Sequence, residues 1–286
     1  MLRTLYVNIL TVLVLLLNSS LLHSAEQQHG LEIAIAPFLP VKTLISNYAP
    51  LREYLQNKLG VPVTIISAPD FKTYFKRMQA HEYAIVITIP SAAYMAYTDY
   101  GYIPLLRPIN YTRAALIVTK EQPPIQPADL RGKTIAIPDA MTITSMMGMQ
   151  MLQNANLEPG RNVFIKNVPN HSAAVNHVIA GEVTAAIVSD STLLQIPAAS
   201  RDKIKTTYTW DKEAVPGIIY MGNPDIPSAR LNKISNAILE FSQHTEEGSK
   251  LMKDMGYGGL KTISVDELLP LATYSTRLKN LLSKMP

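Results

Sequence analysis

Cysteine is absent from this 286-residue sequence. The chain therefore has no disulfides, no thiol nucleophile, no thiolate ligand for a metal and no N-terminal cysteine to carry a lipid. Its stability must come from a hydrophobic core. With 47% apolar residues, a chain of this length can build one large domain or two modest ones.

Clusters of positive charge are also absent. The formal net charge is +4, but the lysine and arginine residues are scattered and few aromatic residues lie beside them. We therefore expect no nucleic acid partner. A mildly basic chain suits an anionic ligand, although a solvated surface explains the same charge equally well.

Common catalytic motifs are missing as well. The sequence contains no Gly-x-Ser-x-Gly, no His-Glu-x-x-His and no Walker loop. His171 and Asp190 could form an acid–base pair, but such a pair is too generic to favour catalysis. We predict that the protein is not an enzyme and uses no cofactor or metal.

The N-terminus carries an apolar stretch. Arg3 precedes the apolar residues Ile9 to Leu17, and a region of polar and small residues ends near Ser24-Ala25. This order is typical of a secretory signal peptide, so we expect residues 1–25 to be cleaved near Ala25 and the chain to reach the periplasm. An uncleaved anchor is the alternative, because Thr4 to Leu22 carries no charge. No later segment is apolar for long enough to cross a membrane.

Short β-branched runs alternate with helical patterns from residue 31 onward, which predicts an α/β fold with mostly parallel sheets flanked by helices. The predicted strands are Leu31–Ala36, Val61–Ile66, Ala84–Ile89, Ala114–Thr119, Lys133–Ile137, Val163–Val168, Ala185–Ser189, Ile204–Tyr208 and Gly217–Met221.

Helix signals lie between these strands. Pro50 is expected in the first turn of a helix that Gly60 ends. Asp70 is a natural N-cap for the next helix. The apolar residues of that helix repeat at helical spacing, which predicts a core face, and they are Phe71, Tyr74, Phe75 and Met78.

Two segments share one pattern. Pro69–Ser91 aligns with Pro169–Ser191 without a gap, and both run through a turn, a cap, a helix and a buried strand. We therefore predict two lobes built on one plan, although any two βαβ units resemble each other to some degree.

Lobe one is predicted to span 26–118 and 215–286, and lobe two 119–214. The boundary is placed in the proline-rich segment 121–129 and the return crossing around 211–217, so that two crossings form a hinge.

Polar turns at strand ends are the predicted binding site. Open α/β sheets bind ligands beyond the carboxyl ends of their strands, where helix N-termini present free N–H groups. Side chains at such turns could surround an oxyanion, and they are Ser91, Thr142, Thr144, Ser145 and His171. Arg113 precedes a predicted crossing strand and could add a charge. Each also has a structural interpretation, as a helix cap for the hydroxyls and as a surface group for His171 and Arg113.

An ordered series of segments resembles the phosphate/phosphite/phosphonate substrate-binding proteins of ABC transporters, which have the type II periplasmic binding protein fold. The series covers nearly the whole chain after the leader. Its segments are Tyr48–Leu55, Leu59–Val63, Ala68–Phe71, Asp129–Ala136, Thr142–Ser145, Asn170–Ala174 and Gly181–Ala186.

This resemblance implies particular site residues and shows departures from the family pattern. It implies that the ligand's oxyanion is held by the Thr142–Thr144 turn and by His171. Aromatic contacts would come from Phe71 and Tyr111, and an acidic contact from Asp190. Ile143 stands where the family has a hydroxyl, Phe71 where it has a tyrosine, and Thr184 where it has an aspartate. The departures imply a ligand other than a plain phosphonate, or weaker binding.

The function implied is capture of a small oxyanion in a cleft that closes about a hinge, for delivery to an ABC permease in the membrane. The chain is expected to act as a monomer. A module that reports to a membrane sensor needs the same cleft and remains an alternative, as does a different organic anion as ligand.

Overall fold

Two large β-sheets with flanking helices, joined by a two-stranded ribbon, make up the described part of the chain. The computed structural model describes residues 30–212 and 214–284, so the predicted signal peptide lies outside the described residues. The strands are β1 (Leu31–Ile35), β2 (Val63–Ser67), β3 (Ile85–Thr88), β4 (Ile103–Pro108), β5 (Tyr111–Thr112), β6 (Ala114–Thr119), β7 (Thr134–Ile137), β8 (Phe164–Asn167), β9 (Ala185–Ser189), β10 (Ile204–Thr209), β11 (Val215–Pro216), β12 (Ile219–Gly222) and β13 (Leu260–Thr262).

The helices cover the sheets. They are α1 (Val41–Leu59), α2 (Phe71–Gln79), α3 (Pro90–Tyr100), α4 (Ile143–Asn154), α5 (His171–Ile179), α6 (Asp190–Leu193), α7 (Ala198–Arg201), α8 (Ser228–His244), α9 (Glu246–Asp254) and α10 (Ala272–Leu282). Among the helices described, none is both long and apolar enough to cross a membrane.

Each sheet mixes parallel and antiparallel strands. The six-stranded sheet has the order β13-β4-β12-β3-β1-β2, and the five-stranded sheet has the order β10-β6-β9-β7-β8. In the first, β1 lies parallel to β2 and β3, with Ile33 opposite Ile65 and Ile85, while β12, β4 and β13 join antiparallel. In the second, β7 lies parallel to β8 and β9, while β6 is antiparallel to β9 and β10.

The predicted α/β class with helix-flanked sheets is confirmed, but the sheets are mixed rather than mostly parallel. Parallel neighbours need a crossover connection. Strands β6 and β12 enter their sheets directly from the short ribbon that β5 and β11 form, so no crossover helix sets their direction. We call the part built on the six-stranded sheet the first lobe and the part built on the five-stranded sheet the second lobe.

The crossings between the lobes differ from the sequence-based boundary. Strand β6 belongs to the five-stranded sheet, so the chain leaves the first lobe before residue 114 rather than after 118. The proline-rich segment 121–129 connects β6 to β7 within the second lobe and is not the crossing. The crossing segments are instead β5 and β11, with Val215 opposite Thr112 and Pro216 opposite Tyr111.

Helix α1 begins well before the predicted start. Pro50 lies inside the helix rather than in its first turn. Leu44 and Tyr48 continue the stripe of Leu51 and Leu55, and all four are buried. Burial of this longer stripe against the first sheet compensates for the hydrogen bond that an interior proline removes. Gly60 ends the helix in the left-handed conformation, as its sequence position predicts.

Helix α2 forms as its sequence predicts. The Asp70 carboxylate accepts a hydrogen bond from the Thr73 backbone N–H at 2.7 Å, which satisfies one of the free donors at the helix start. The apolar stripe Phe71, Tyr74, Phe75 and Met78 is buried in the core. The four side chains stabilise the first lobe.

Candidate functional site

A small cavity lies between the two lobes, where helix N-termini from both sides meet. Pro90 begins α3 on the first lobe, while Thr142 caps α4 and Asn170 caps α5 on the second. The lining residues are Phe38, Ile89, Pro90, Thr112, Thr142, Ile143, Thr144, His171, Ser189, Ser191, Thr192, Gln195, Gly217, Ile218 and Tyr257. The space between their atoms is about 390 Å³, including the part open to solvent, and little of it is wide enough for a water molecule. Such a cavity has no room for a large ligand.

The turn that opens α4 offers one uncommitted hydroxyl. Thr142 Oγ1 donates to the Asp139 carbonyl at 2.9 Å and accepts from the Ser145 N–H at 3.2 Å. Ser145 Oγ donates to the Pro138 carbonyl at 2.8 Å. Within the described chain, the Thr144 hydroxyl has no hydrogen-bond partner, and it lines the cavity. Thr144 can therefore donate to a ligand, while Thr142 and Ser145 hold the turn in shape.

His171, the first residue of α5, presents a neutral imidazole. Its side chain is buried, and Nδ1 accepts a hydrogen bond from the Ser189 backbone N–H at 3.3 Å. The ring proton therefore lies on Nε2. Burial lowers the pKa of His171 to about 3, since a charged ring would lose its hydration. At physiological pH the imidazole can donate one hydrogen bond from Nε2 to an anion and carries no charge of its own.

We expect the free energy of unfolding to fall by on the order of 2 kcal/mol between pH 7.5 and pH 5 through His171 alone. The imidazole of the unfolded chain titrates near pH 6.5, whereas the buried ring stays neutral down to about pH 3. The contribution is thus complete above about pH 6.5 and is lost as the pH falls toward 3. Urea unfolding of the wild type and of His171→Gln at several pH values measures it. Glutamine can still accept from Ser189 but does not titrate, so an equal pH dependence in both proteins would contradict this account.

Three hydroxyls meet at the start of α6. Ser191 Oγ donates to Thr112 Oγ1 at 2.9 Å, and Thr112 Oγ1 donates to Asp190 Oδ1 at 2.8 Å. Ser189 Oγ lies 2.6 Å from Thr112 Oγ1 and 3.0 Å from Ser191 Oγ. The hydroxyl protons of Ser191 and Thr112 are therefore donated along a chain of hydrogen bonds that ends at Asp190. Only the Ser189 hydroxyl has no fixed acceptor.

Asp190 orients this cluster from outside the cavity. Besides Thr112, its Oδ1 accepts the backbone N–H groups of Arg113 at 2.9 Å and Ser191 at 2.7 Å. Through these hydrogen bonds the Asp190 carboxylate fixes the crossing strand β5 to the start of α6. It serves as a positioning group rather than as a lining residue.

The cavity presents dipoles rather than full charges to a ligand. Of the lining residues, none is an arginine, lysine, aspartate or glutamate. The described residues contain no group of three or more His, Asp or Glu side chains that could hold a metal. The donors that remain are the Thr144 and Ser189 hydroxyls, the His171 Nε2–H and the free N–H groups at the start of α4. Such an arrangement suits an oxyanion.

The predicted site residues fall into three groups. Thr142, Thr144 and His171 line the cavity. Ser91 and Ser145 are buried beside it with their hydroxyls donated to carbonyl oxygens, Ser91 to Met141 across the lobes at 2.8 Å.

The others lie away from the cavity. Phe71 is packed in the core of the first lobe against Phe75, because its place on the apolar stripe of α2 turns it inward. Tyr111, Arg113 and Asp190 line a groove at the surface. Tyr111 is 45% exposed there, with the Arg107 guanidinium 4.8 Å from its ring.

Several lining residues were not among those predicted. The candidate set lacked Thr112, Ser189, Ser191, Gln195, Gly217 and Tyr257, and the apolar residues Phe38, Ile89 and Ile218. The sequence does signal Ser191, because the internal alignment matches it with Ser91 at a helix start, where a serine is interpreted first as a cap. Gln195 and Tyr257 carry no local signal, since the fold of the two lobes brings them together.

Together, the fold and the cavity define a two-lobed solute-binding protein. The family described as ABC transporter, phosphonate, periplasmic substrate-binding protein matches residues 33–268. The chain belongs to this family, as the resemblance in its sequence implies, and its role there is solute capture for an ABC transporter. No curated protein sequence matches the chain.

Solved structures share the fold at low sequence identity. The binding protein component of an ABC phosphonate transporter from Pseudomonas aeruginosa superposes with a TM-score of 0.75 at 16% identity, covering 90% of this chain and 89% of that one. PhnD1 from Prochlorococcus marinus, in complex with methylphosphonate, gives 0.75 at 11% identity, with 88% and 99% covered. XAC2383 from Xanthomonas citri, bound to chloride ion, gives 0.67 at 16% identity, with 88% and 99% covered. The type II periplasmic binding fold is thereby confirmed.

Proposed function

We propose that the cavity between the lobes captures a small phosphonate and that the closed protein delivers it to an ABC permease. The observation that carries this proposal is the meeting of helix N-termini from both lobes around a small cavity with uncommitted donors. An oxyanion placed there would accept from the Thr144 hydroxyl, the His171 Nε2–H and the N–H groups that open α4. The apolar side chains Ile143 and Ile89 would surround the alkyl substituent.

Contacts between the lobes support closure over the ligand. Ser91 on the first lobe donates to the Met141 carbonyl on the second, and Gln195 on the second donates to the Met255 carbonyl on the first at 3.2 Å. Motion about the crossing segments β5 and β11 would break or restore both bonds. A ligand that contacts both lobes would favour the closed state by its differential affinity.

We propose that residues 1–25 are removed near Ala25, which the intact mass of the exported protein would show. The mature chain would act as a monomer in the periplasm, with its closed form docking on the permease. A membrane sensor would need the same closed form.

We expect methylphosphonate to raise the melting temperature of the mature protein by roughly 5–10 °C at a concentration of about 100 times its Kd. Ligand at this excess adds about 2.7 kcal/mol to the free energy of unfolding. For a protein of this size, each added kcal/mol raises the melting temperature by a few degrees. Phosphate, phosphite and sulfate serve as comparisons in the same thermal scans. A shift with sulfate alone, or with none of these anions, would contradict a phosphonate as ligand.

A further inference from the structure

Gln195 is a buried polar residue of the cavity wall that the proposed oxyanion contacts leave unused. It follows α6 in the second lobe, is 8% exposed and lines the cavity together with Tyr257 of the first lobe. Its Nε2 donates to the Met255 carbonyl at 3.2 Å. This bond fixes which end of the amide is nitrogen and which is oxygen, since only a donor can face a carbonyl.

The Oε1 atom of Gln195 is buried without a hydrogen-bond partner. A buried acceptor without a partner loses its hydration and gains nothing in return, which is costly enough that such groups are rare in folded proteins. Gln195 also borders a groove at the surface, but its buried Oε1 gains no hydrogen bond from the solvent there. A donor that reaches Gln195 from the cavity would satisfy this atom.

On the side that lines the cavity, the neighbours of Gln195 favour a neutral donor over an ammonium group. No carboxylate lines the cavity. Burial raises the pKa of the neighbouring Tyr257 to about 12, so its hydroxyl stays protonated and uncharged at neutral pH. An ammonium group brought here would lose its hydration and gain only one neutral acceptor, which is a poor exchange. A hydroxyl group needs no charge partner.

We propose that Gln195 is a specificity-determining residue that accepts a hydrogen bond from a hydroxyl on the ligand's substituent. The preferred ligand class is then a short hydroxyalkylphosphonate, held by its oxyanion at the helix N-termini and by its hydroxyl at Gln195 Oε1. This inference rests on the proposed function, because it assumes a phosphonate in the same cavity. The limited space in the cavity favours a substituent of one or two heavy atoms beyond phosphorus.

Calorimetric titration with four compounds tests the inference. Hydroxymethylphosphonate and ethylphosphonate have the same number of heavy atoms and differ by a hydroxyl against a methyl, methylphosphonate lacks this group, and aminomethylphosphonate carries an ammonium instead. We expect the wild type to bind hydroxymethylphosphonate about tenfold more tightly than ethylphosphonate. We expect aminomethylphosphonate to bind no better than ethylphosphonate.

The matched variant is Gln195→Met, which keeps the length of the side chain and removes the acceptor. It also removes the bond to Met255, so the affinities of two ligands are compared as a ratio within one protein. We expect the ratio of hydroxymethylphosphonate to ethylphosphonate affinity to fall from about ten to about one. A ratio of one in the wild type, or a ratio of ten that survives in Gln195→Met, would overturn the role of Gln195 and leave phosphonate capture standing. Failure of all four compounds to bind would overturn the proposed function itself.

Discussion

A Gly217→Leu variant is expected to lose affinity for methylphosphonate by at least about 100-fold while keeping the fold. Gly217 lines the cavity at the end of the crossing strand β11. A Cβ atom there would lie 3.4 Å from Ser191 Oγ and 3.6 Å from Thr112 Cβ, which are themselves lining residues. The further carbons of leucine would occupy the space that the ligand needs. The loss corresponds to about 2.7 kcal/mol of binding free energy.

Gly217→Ala is the matched control for this prediction. The backbone at Gly217 does not lie in the left-handed region, so a side chain introduces no backbone strain. A single methyl group meets Ser191 at a distance that small shifts can relieve, and we expect a loss of about fivefold or less. Calorimetric titration measures both variants, and thermal unfolding checks that both are folded. Wild-type affinity in Gly217→Leu would place the ligand outside this cavity.

A Thr144→Val variant is expected to lose affinity for methylphosphonate by about 10- to 100-fold. Valine has nearly the shape of threonine, so the change removes the hydroxyl and little else. The hydroxyl has no partner within the described chain, and its hydrogen bond to an anionic oxygen would be charge-assisted, contributing about 1.5–3 kcal/mol. Because no protein contact is broken, the stability of the free protein should change little.

Ser145→Ala separates binding from folding in the same turn. The Ser145 hydroxyl donates to the Pro138 carbonyl, so its removal should lower the free energy of unfolding by about 1 kcal/mol. Its effect on affinity should stay within a few-fold, since the hydroxyl is committed to the turn. Equal losses of affinity in Thr144→Val and Ser145→Ala would show that the turn's shape, rather than the Thr144 donor, holds the ligand.

The departures from the family pattern have different consequences in the structure. Ile143 lines the cavity as an apolar wall beside Thr144, so the turn keeps one free hydroxyl. Phe71 belongs to the core, so its missing hydroxyl takes nothing from this cavity. Thr112, Ser189 and Ser191 add hydroxyls that were not among the predicted contacts. The cavity therefore keeps two donors that the resemblance implies, Thr144 and His171, and adds further hydroxyls.

The sequence predicts well those features that depend on residues only a few positions apart in the chain. Asp70 caps α2 and Asn170 caps α5 because each side chain accepts from a backbone N–H three residues later. The strands β6 and β9 were predicted with the bounds that the structure has, because continuous β-branched and apolar runs of this length form buried strands. Thr144 and His171 were predicted as polar residues at helix starts, and both line the cavity.

Long-range pairing explains what the sequence did not predict. The periodicity of β6 indicates a strand, but the choice of sheet depends on β9 and β10, which lie more than 60 residues later. Local signals therefore predict the crossing in the proline-rich segment 121–129, whereas the structure has it in β5. Similarly, Pro50 predicts a helix start because proline is favoured in the first turn of a helix. In the structure, burial of Leu44 and Tyr48 extends the helix through Pro50.

The sequence by itself determined the α/β class, most of the strands, the helix caps and the family to which the chain belongs, because these depend on neighbouring residues or on an ordered series of short segments. Only the tertiary structure decided which groups face the cavity. Gln195 meets Tyr257, and Gly217 meets Ser191, across the two lobes, and nothing near either residue in the chain signals that contact. A binding site between two lobes is made of pairs that only the fold brings together.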